Sequence, residues 1–332
     1  MKFIRIILFP VVPIYYVITM FRNWLYDKGL KSSKSYDFPI ICVGNLSTGG
    51  TGKTPMIEYL IRLLKDEKPI ATLSRGYKRI TEGFVLGDEE ATSDTIGDEP
   101  FQIFKKFKNI NVAVDGSRQN GIKELLSLNK PPEVILLDDA YQHRKVKAGL
   151  NILLTAYYKL YCDDIVLPTG NLREPRSGAS RADIIVVTKC PKNISEAEKT
   201  EIGLKLNLKP HQKIFFSHIS YPERAISKQK ELELSALPEF TLVSGIANAK
   251  PLVDFLKHKG LKFEHLEYPD HYSFKPDDIE ILAKKDFIVT TEKDYVRLSD
   301  NENLEPNLFY IPIELMIDKK EMFDKAIKAF VD

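Results

Sequence analysis

Cysteine is scarce in this chain. Its 332 residues include three, Cys42, Cys162 and Cys190, far apart and in no CxxC pair. That argues against a disulfide framework or a thiolate zinc site and fits a reducing compartment. An excess of one charge is missing too. The net charge of +2, with 28% charged residues, gives no overall signal for nucleic acid, and none is expected as a partner. Internal repeats and low-complexity tracts are absent, and no motif marks an obligate protein partner. The chain also lacks an uninterrupted apolar run of the roughly 20 residues that a spanning helix needs. The rest is ordinary for a folded protein: 43% of residues are hydrophobic, and the length allows two domains.

The N-terminus comes nearest to a membrane signal. Ile6 to Phe21, IILFPVVPIYYVITMF, carries no charge and lies between Lys2, Arg5 and Arg22. Pro10 and Pro13 interrupt it, and no small-residue cleavage site follows, which speaks against a signal peptide. Trp24, Tyr26 and the basic residues beside them suit an interface. The expectation is a helix over residues 1–30 lying in one membrane leaflet. A hydrophobic helix packed on the body of the protein is the plainer reading.

The most informative stretch is Ile40 to Thr54. An apolar strand runs into the glycine-rich Ser47-Thr48-Gly49-Gly50-Thr51-Gly52-Lys53-Thr54, and an amphipathic helix follows. Glycines let the backbone turn tightly and aim its N–H groups inward, where with the helix N-terminus they cradle phosphate oxygens. Lys53 reaches the β- and γ-phosphates, and the Thr54 hydroxyl suits Mg²⁺. The general motif wants glycine where Ser47 stands. A glycine turn that binds nothing is the bland alternative. The loop implies a nucleoside triphosphate without saying which use is made of it.

A second strand, Pro132 to Asp139, is a continuous apolar run, as in a parallel strand buried on both faces. It ends in Asp138 and Asp139. Acids at such a strand tip, beside a phosphate loop, hold Mg²⁺ directly or through water; a paired Asp also caps turns. A long connection, Tyr157 to Arg181, contains Arg173-Glu174-Pro175-Arg176, suited to phosphate and metal contact. Thr188-Lys189 ends another strand and is a candidate for the nucleobase. Pro222 to Pro238 reads as an interdomain connection. Strands and helices alternate on both sides of it, which predicts parallel or mixed sheets. The expected architecture is thus α/β. A P-loop NTPase-like, mostly parallel sheet flanked by helices occupies 31–222, and a smaller α/β domain over 223–332 closes over the site.

Seven motifs, GNLSTGGTGKTP, SRGY, GDEP, DDAYQHR, NLREP, DHYSF and TEKD, occur in that order across nearly the whole chain. In this the sequence resembles the tetraacyldisaccharide 4′-kinases, the lipid A 4′-kinases. The family's DDGFQH reads here as Asp138-Asp139-Ala140-Tyr141-Gln142-His143, and Ala140 matters only if that backbone needs a positive φ. The family also lacks the first glycine of the general motif, so Ser47 is no departure from it.

The resemblance implies transfer of the γ-phosphoryl of ATP to the 4′-hydroxyl of a tetraacyl glucosamine disaccharide 1-phosphate. The product is the bis-phosphorylated lipid A precursor. The site of action is the cytoplasmic face of the inner membrane of a Gram-negative bacterium. It further implies Asp138, Asp139 and Glu174 as acids for Mg²⁺, Arg173 against transition-state charge, and Asp98 as base with His271. From the residues alone Asp98 also fits a helix N-cap and His271 a structural hydrogen-bonder. Rival readings are a membrane-associated ATPase switch, a cytosolic small-molecule kinase or ligase, and a non-catalytic scaffold. The switch proteins with a similar GGTGKT loop carry an extra lysine near its start, and positions 44–52 have none.

Overall fold

A computed structural model describes residues 7–270 and 272–332. His271, one of the expected catalytic residues, lies outside the described residues, as do residues 1–6.

The chain opens with helix α1, Val12–Asp27. Strand β1, Ile40–Asn45, leads through the glycine loop into α2, Lys53–Leu64. Then come β2 (Ile70–Ser74), β3 (Val85–Leu86), the single turn α3 (Ser93–Ile96), α4 (Asp98–Lys106), β4 (Asn111–Val114) and α5 (Arg118–Leu126). The next elements are β5 (Val134–Asp138), β6 (Leu150–Ala156), β7 (Ile184–Thr188), α6 (Glu196–Leu206) and β8 (Lys213–Ser220). The second unit holds β9 (Arg224–Ile226), β10 (Glu231–Glu233), β11 (Phe240–Ser244), α7 (Lys250–His258) and β12 (Phe263–Glu267). It continues with α8 (Pro276–Ala283), β13 (Ile288–Thr291), α9 (Glu292–Leu298) and β14 (Leu308–Ile311). The chain ends in β15 (Glu314–Ile317) and α10 (Lys320–Val331).

Two sheets result. The first has nine strands in the order β15-β8-β7-β6-β1-β5-β2-β4-β3. Its pairs are parallel except at the edges, where β3 and β15 run antiparallel to their neighbours. The second has six strands, β10-β9-β14-β13-β11-β12, with a parallel centre. Alternation along β1 splits the first core in two. Ile41 and Val43 face Leu60 of α2 and Phe323 of α10, while Ile40 and Cys42 face the opposite layer with Ile122 and Leu125 of α5. β1 lies between β5 and β6, where the strand order reverses. Ligands sit outside the carboxyl ends of strands at such a point.

The C-terminus departs from the expected boundary. Residues 314–332 belong to the first sheet, not with the second unit assigned to 223–332. Pro312 stops the apolar run begun at Leu308, and β15 then pairs with β8 from Glu314↔Ser220 to Ile317↔Ser217. The apolar face of α10 explains the rest: Phe323 is buried edge-on against Tyr59 and Phe215, with ring centroids 5.7 and 5.1 Å away. Residues 222–238, expected as a connection, contribute β9 and β10 to the second sheet.

Among the described residues no helix is long and apolar enough to cross a membrane. Ile14, Val17, Ile18, Phe21 and Trp24 of α1 are exposed, and Asn23 is its one buried residue.

Candidate active site

The glycine loop is held open from both sides. Gly49 and Gly52 take φ of +112° and +87°, values that favour glycine. The Asn45 amide donates to the Thr51 hydroxyl at 2.6 Å, Thr188 donates to the Thr51 carbonyl at 2.8 Å, and the Lys189 ammonium donates to the Gly50 carbonyl at 2.6 Å. Thr188-Lys189 thus braces the loop. On the far side the segment 171–174 runs alongside it. The Thr48 N–H donates to the Asn171 carbonyl and the Arg173 N–H to the Leu46 carbonyl, both at 2.7 Å, and Ser47 bridges to Leu172.

Lys53 opens α2 and points at the acids. Its Nζ lies 3.7 Å from Asp139 Oδ1. Arg173 donates to both oxygens of Asp139, at 2.8 and 2.9 Å. Burial alone would raise the Asp139 pKa, but Lys53 and Arg173 outweigh it and hold the carboxyl below its ordinary value. Asp139 itself takes φ of +46°, and Ala140 is not among the residues with positive φ. Alanine in place of the family's glycine is therefore unstrained there. Asp138 differs from its neighbour. Burial, then the charge of Glu99, push its pKa well up. Its Oδ1 is buried without a hydrogen-bond partner. A carboxylate oxygen orphaned beside a lysine and a glycine loop is poised for a cation, since burial without one favours the neutral acid.

Glu174 does not join the two aspartates. It is 1% exposed, and its oxygens accept from Asn23 at 2.6 Å, Arg181 at 2.8 Å and Gln142 at 3.0 Å. Among the described residues no group of three or more His, Cys, Asp or Glu side chains is arranged to hold a metal. Glu174 was expected beside Asp138 and Asp139, but in the structure it is engaged by Asn23, Arg181 and Gln142 instead.

Asp98 is the first residue of α4. The N-cap is Gly97, so Asp98 is not the capping residue. Gly97 needs its φ of +92° and its missing side chain, because a Cβ there would lie 3.0 Å from the Tyr77 carbonyl. The GDEP turn therefore nests on the SRGY turn. Asp98 Oδ2 accepts from Arg297 at 2.5 Å, and Arg297 also meets Asp294 at 3.3 Å. Asp294 is fully buried and takes the Gly245 N–H at 2.8 Å and the Thr291 hydroxyl at 2.7 Å. The acid on the first sheet is thus tied to α9 on the second.

Sequence reasoning assigned no role to Arg297, Asp294, Glu99 or Arg181. TEKD was one of the seven motifs, but nothing local says that it opens a helix, or that an arginine three residues past its aspartate reaches Asp98. A basic cavity also went unread. It measures about 330 Å³ and is lined by Arg22, Tyr26, Ser117, Arg118, His143 and Arg144. A second of about 640 Å³ is lined by Arg75, Tyr77, Lys78 and Arg79, and Gly116 is on the wall of both. Burial, then Arg118 and Arg75, lower the His143 pKa to about 4, so its imidazole is neutral at pH 7.

A glycine loop between strand and helix, a lysine leading the helix, and an orphaned acid at the adjacent strand tip mark an α/β protein built to bind a nucleoside triphosphate. The family model described as tetraacyldisaccharide-1-P 4′-kinase matches residues 4–332, and the chain belongs to that family. A tetraacyldisaccharide 4′-kinase of Flavobacterium johnsoniae is 52% identical over 335 residues, covering 100% of this chain and 98% of its own. One of Bacteroides fragilis is 44% identical over 349 residues, covering 98% and 92%. A crystal structure of LpxK from Aquifex aeolicus in complex with ATP superposes with a TM-score of 0.82 at 33% identity, covering 99% of this chain and all of that one.

Proposed function

We propose that the protein transfers the γ-phosphoryl group of ATP to the 4′-hydroxyl of a tetraacyldisaccharide 1-phosphate, making the bis-phosphorylated lipid A precursor. The observation that carries this reading is the run Lys53–Asp139–Arg173 across the mouth of the glycine loop. The two cations beside this ionised acid put positive charge at the loop, where charge that develops during phosphoryl transfer would be offset. The loop from Ser47 to Thr54 holds the triphosphate. The bond between the γ-phosphorus and its bridging oxygen breaks, a bond to the sugar oxygen forms, and ADP leaves. Asp98 takes the hydroxyl proton, and His271 acts with it as the family resemblance implies. Thr54, Asp138 and Asp139 would hold Mg²⁺, which when bound neutralises phosphate charge; the unpartnered Asp138 oxygen supports that fit.

The exposed apolar face of α1 supports seating at a membrane surface, the cytoplasmic face of the inner membrane, where the lipid acceptor resides. The basic cavity at the foot of that helix suits the anionic headgroup of such an acceptor.

The test is transfer from γ-labelled ATP with and without the tetraacyldisaccharide 1-phosphate in detergent. Label is expected on the lipid and is expected to vanish in Lys53→Ala. Free phosphate without labelled lipid would sink the reading and favour an ATPase switch.

A further inference from the structure

The first helix is bonded into the site by its polar residues. The Tyr15 hydroxyl donates to the Arg173 carbonyl at 2.9 Å, Arg22 to the Gln142 carbonyl at 2.8 Å, and Asn23 Nδ2 to Glu174 at 2.6 Å. The Asn23 carbonyl in turn accepts from Arg144 at 2.8 Å. Every recipient lies on one of two segments, and both carry site residues. One is 171–174, which borders the glycine loop and carries Arg173. The other follows Asp138 and Asp139. Gln142 closes the circuit, because its amide donates both to Glu174 and, at 2.8 Å, to the Asn45 carbonyl at the end of β1.

An anchor alone does not need this. Burying an amide in a helix whose other face is apolar costs free energy unless the amide is paired. Here its Nδ2 is paired with a carboxylate that is itself buried and neighbours Arg173 in sequence, while its Oδ1 is buried without a hydrogen-bond partner. We propose that α1 is a working part of the nucleotide site, and that Asn23 is a positioning residue that acts through Glu174 to aim Arg173 at Asp139 and the transferring phosphoryl group. Glu174 is then the joint between helix and site, which accounts for its three donors. This rests on the kinase reading above and adds a second task to the helix.

The experiment uses the full-length chain, detergent-dispersed acceptor and four proteins: wild type, Asn23→Ala, Arg173→Ala and the double variant. Losing a buried hydrogen bond to a charged group predicts a fall in kcat of about tenfold for Asn23→Ala. The KM for the acceptor and retention on phosphatidylethanolamine–phosphatidylglycerol vesicles should stay within about twofold, because the apolar face is untouched. Once Arg173 is gone, removing Asn23 should cost little more, since both changes act on one group. Wild-type kcat in Asn23→Ala, or a full additional loss in the double variant, overturns the proposal. If Asn23→Ala does not fold, Tyr15→Phe decides, as it deletes one oxygen from a part-buried side chain: a lower kcat at unchanged vesicle retention supports the proposal, and wild-type kcat overturns it. Absence of labelled lipid from wild type would instead strike the kinase reading itself.

Discussion

His143 shows how one residue sets a pH response. Burial and the neighbouring Arg118 and Arg75 hold its pKa at about 4, against 6.5 for the free side chain. Below pH 6.5 the unfolded chain takes up a proton that the folded one refuses. Stability from this residue is therefore complete above pH 6.5 and drains away as pH falls toward 4. His143→Gln should reduce the drop in Tm between pH 7 and pH 4.5; a drop equal to wild type would refute the assignment. At this scale the residue types at Ser47 to Thr54, Asp138, Asp139 and Arg173 pointed to a phosphate site, and the structure brings Lys53, Asp139 and Arg173 together beside that loop. Glu174 was not legible, because its partner Asn23 is 151 residues away and local sequence carries no sign of that pairing. Asp98 fitted a helix N-cap from the residues, whereas the helix begins at Asp98 with Gly97 as its cap, and its arginine was invisible for the same reason.

Between elements, a buried ion cluster fastens three helices. Lys106 of α4 bonds Glu58 of α2 at 2.6 Å and also bonds Glu292 of α9. Arg62 and Gln102 complete the coordination of Glu58. Removing one partner of a buried charge leaves the other uncompensated. Lys106→Met should therefore cost ~3–5 kcal/mol in denaturant unfolding at neutral pH. The loss should shrink as pH falls, because burial and then the charge of Glu58 already raise the Glu292 pKa, so that it neutralises by taking a proton. A change below about 0.5 kcal/mol, the range of an ordinary surface substitution, would show the cluster to be idle. The long apolar strands β1, β5 and β7 announced themselves by unbroken hydrophobic runs. The short strands β9, β10 and β15, of three or four residues each, are too brief for a period to register. Only their sheet partners define them.

For the whole molecule, the path of the chain matters most. It leaves the first sheet after β8, builds the second sheet and returns for β15 and α10. Deleting 314–332 should thus damage the first unit, not trim the second. It strips the cover from Tyr59, Phe215 and the outer face of α2. The expected outcome is an aggregating protein that no longer binds a fluorescent ATP analogue. A soluble, nucleotide-binding truncation would refute the packing argument. Two connections join the units, and the contacts Arg297–Asp98 and Lys106–Glu292 span them.

The return of β15 and α10 has a bearing on how the protein is born. Translation delivers the whole second unit before β15 and α10. Until α10 emerges, the helix behind the glycine loop is bare on one side. The nucleotide-binding unit is therefore completed only after the second unit has been made, so the two are not built one after the other like beads on a string.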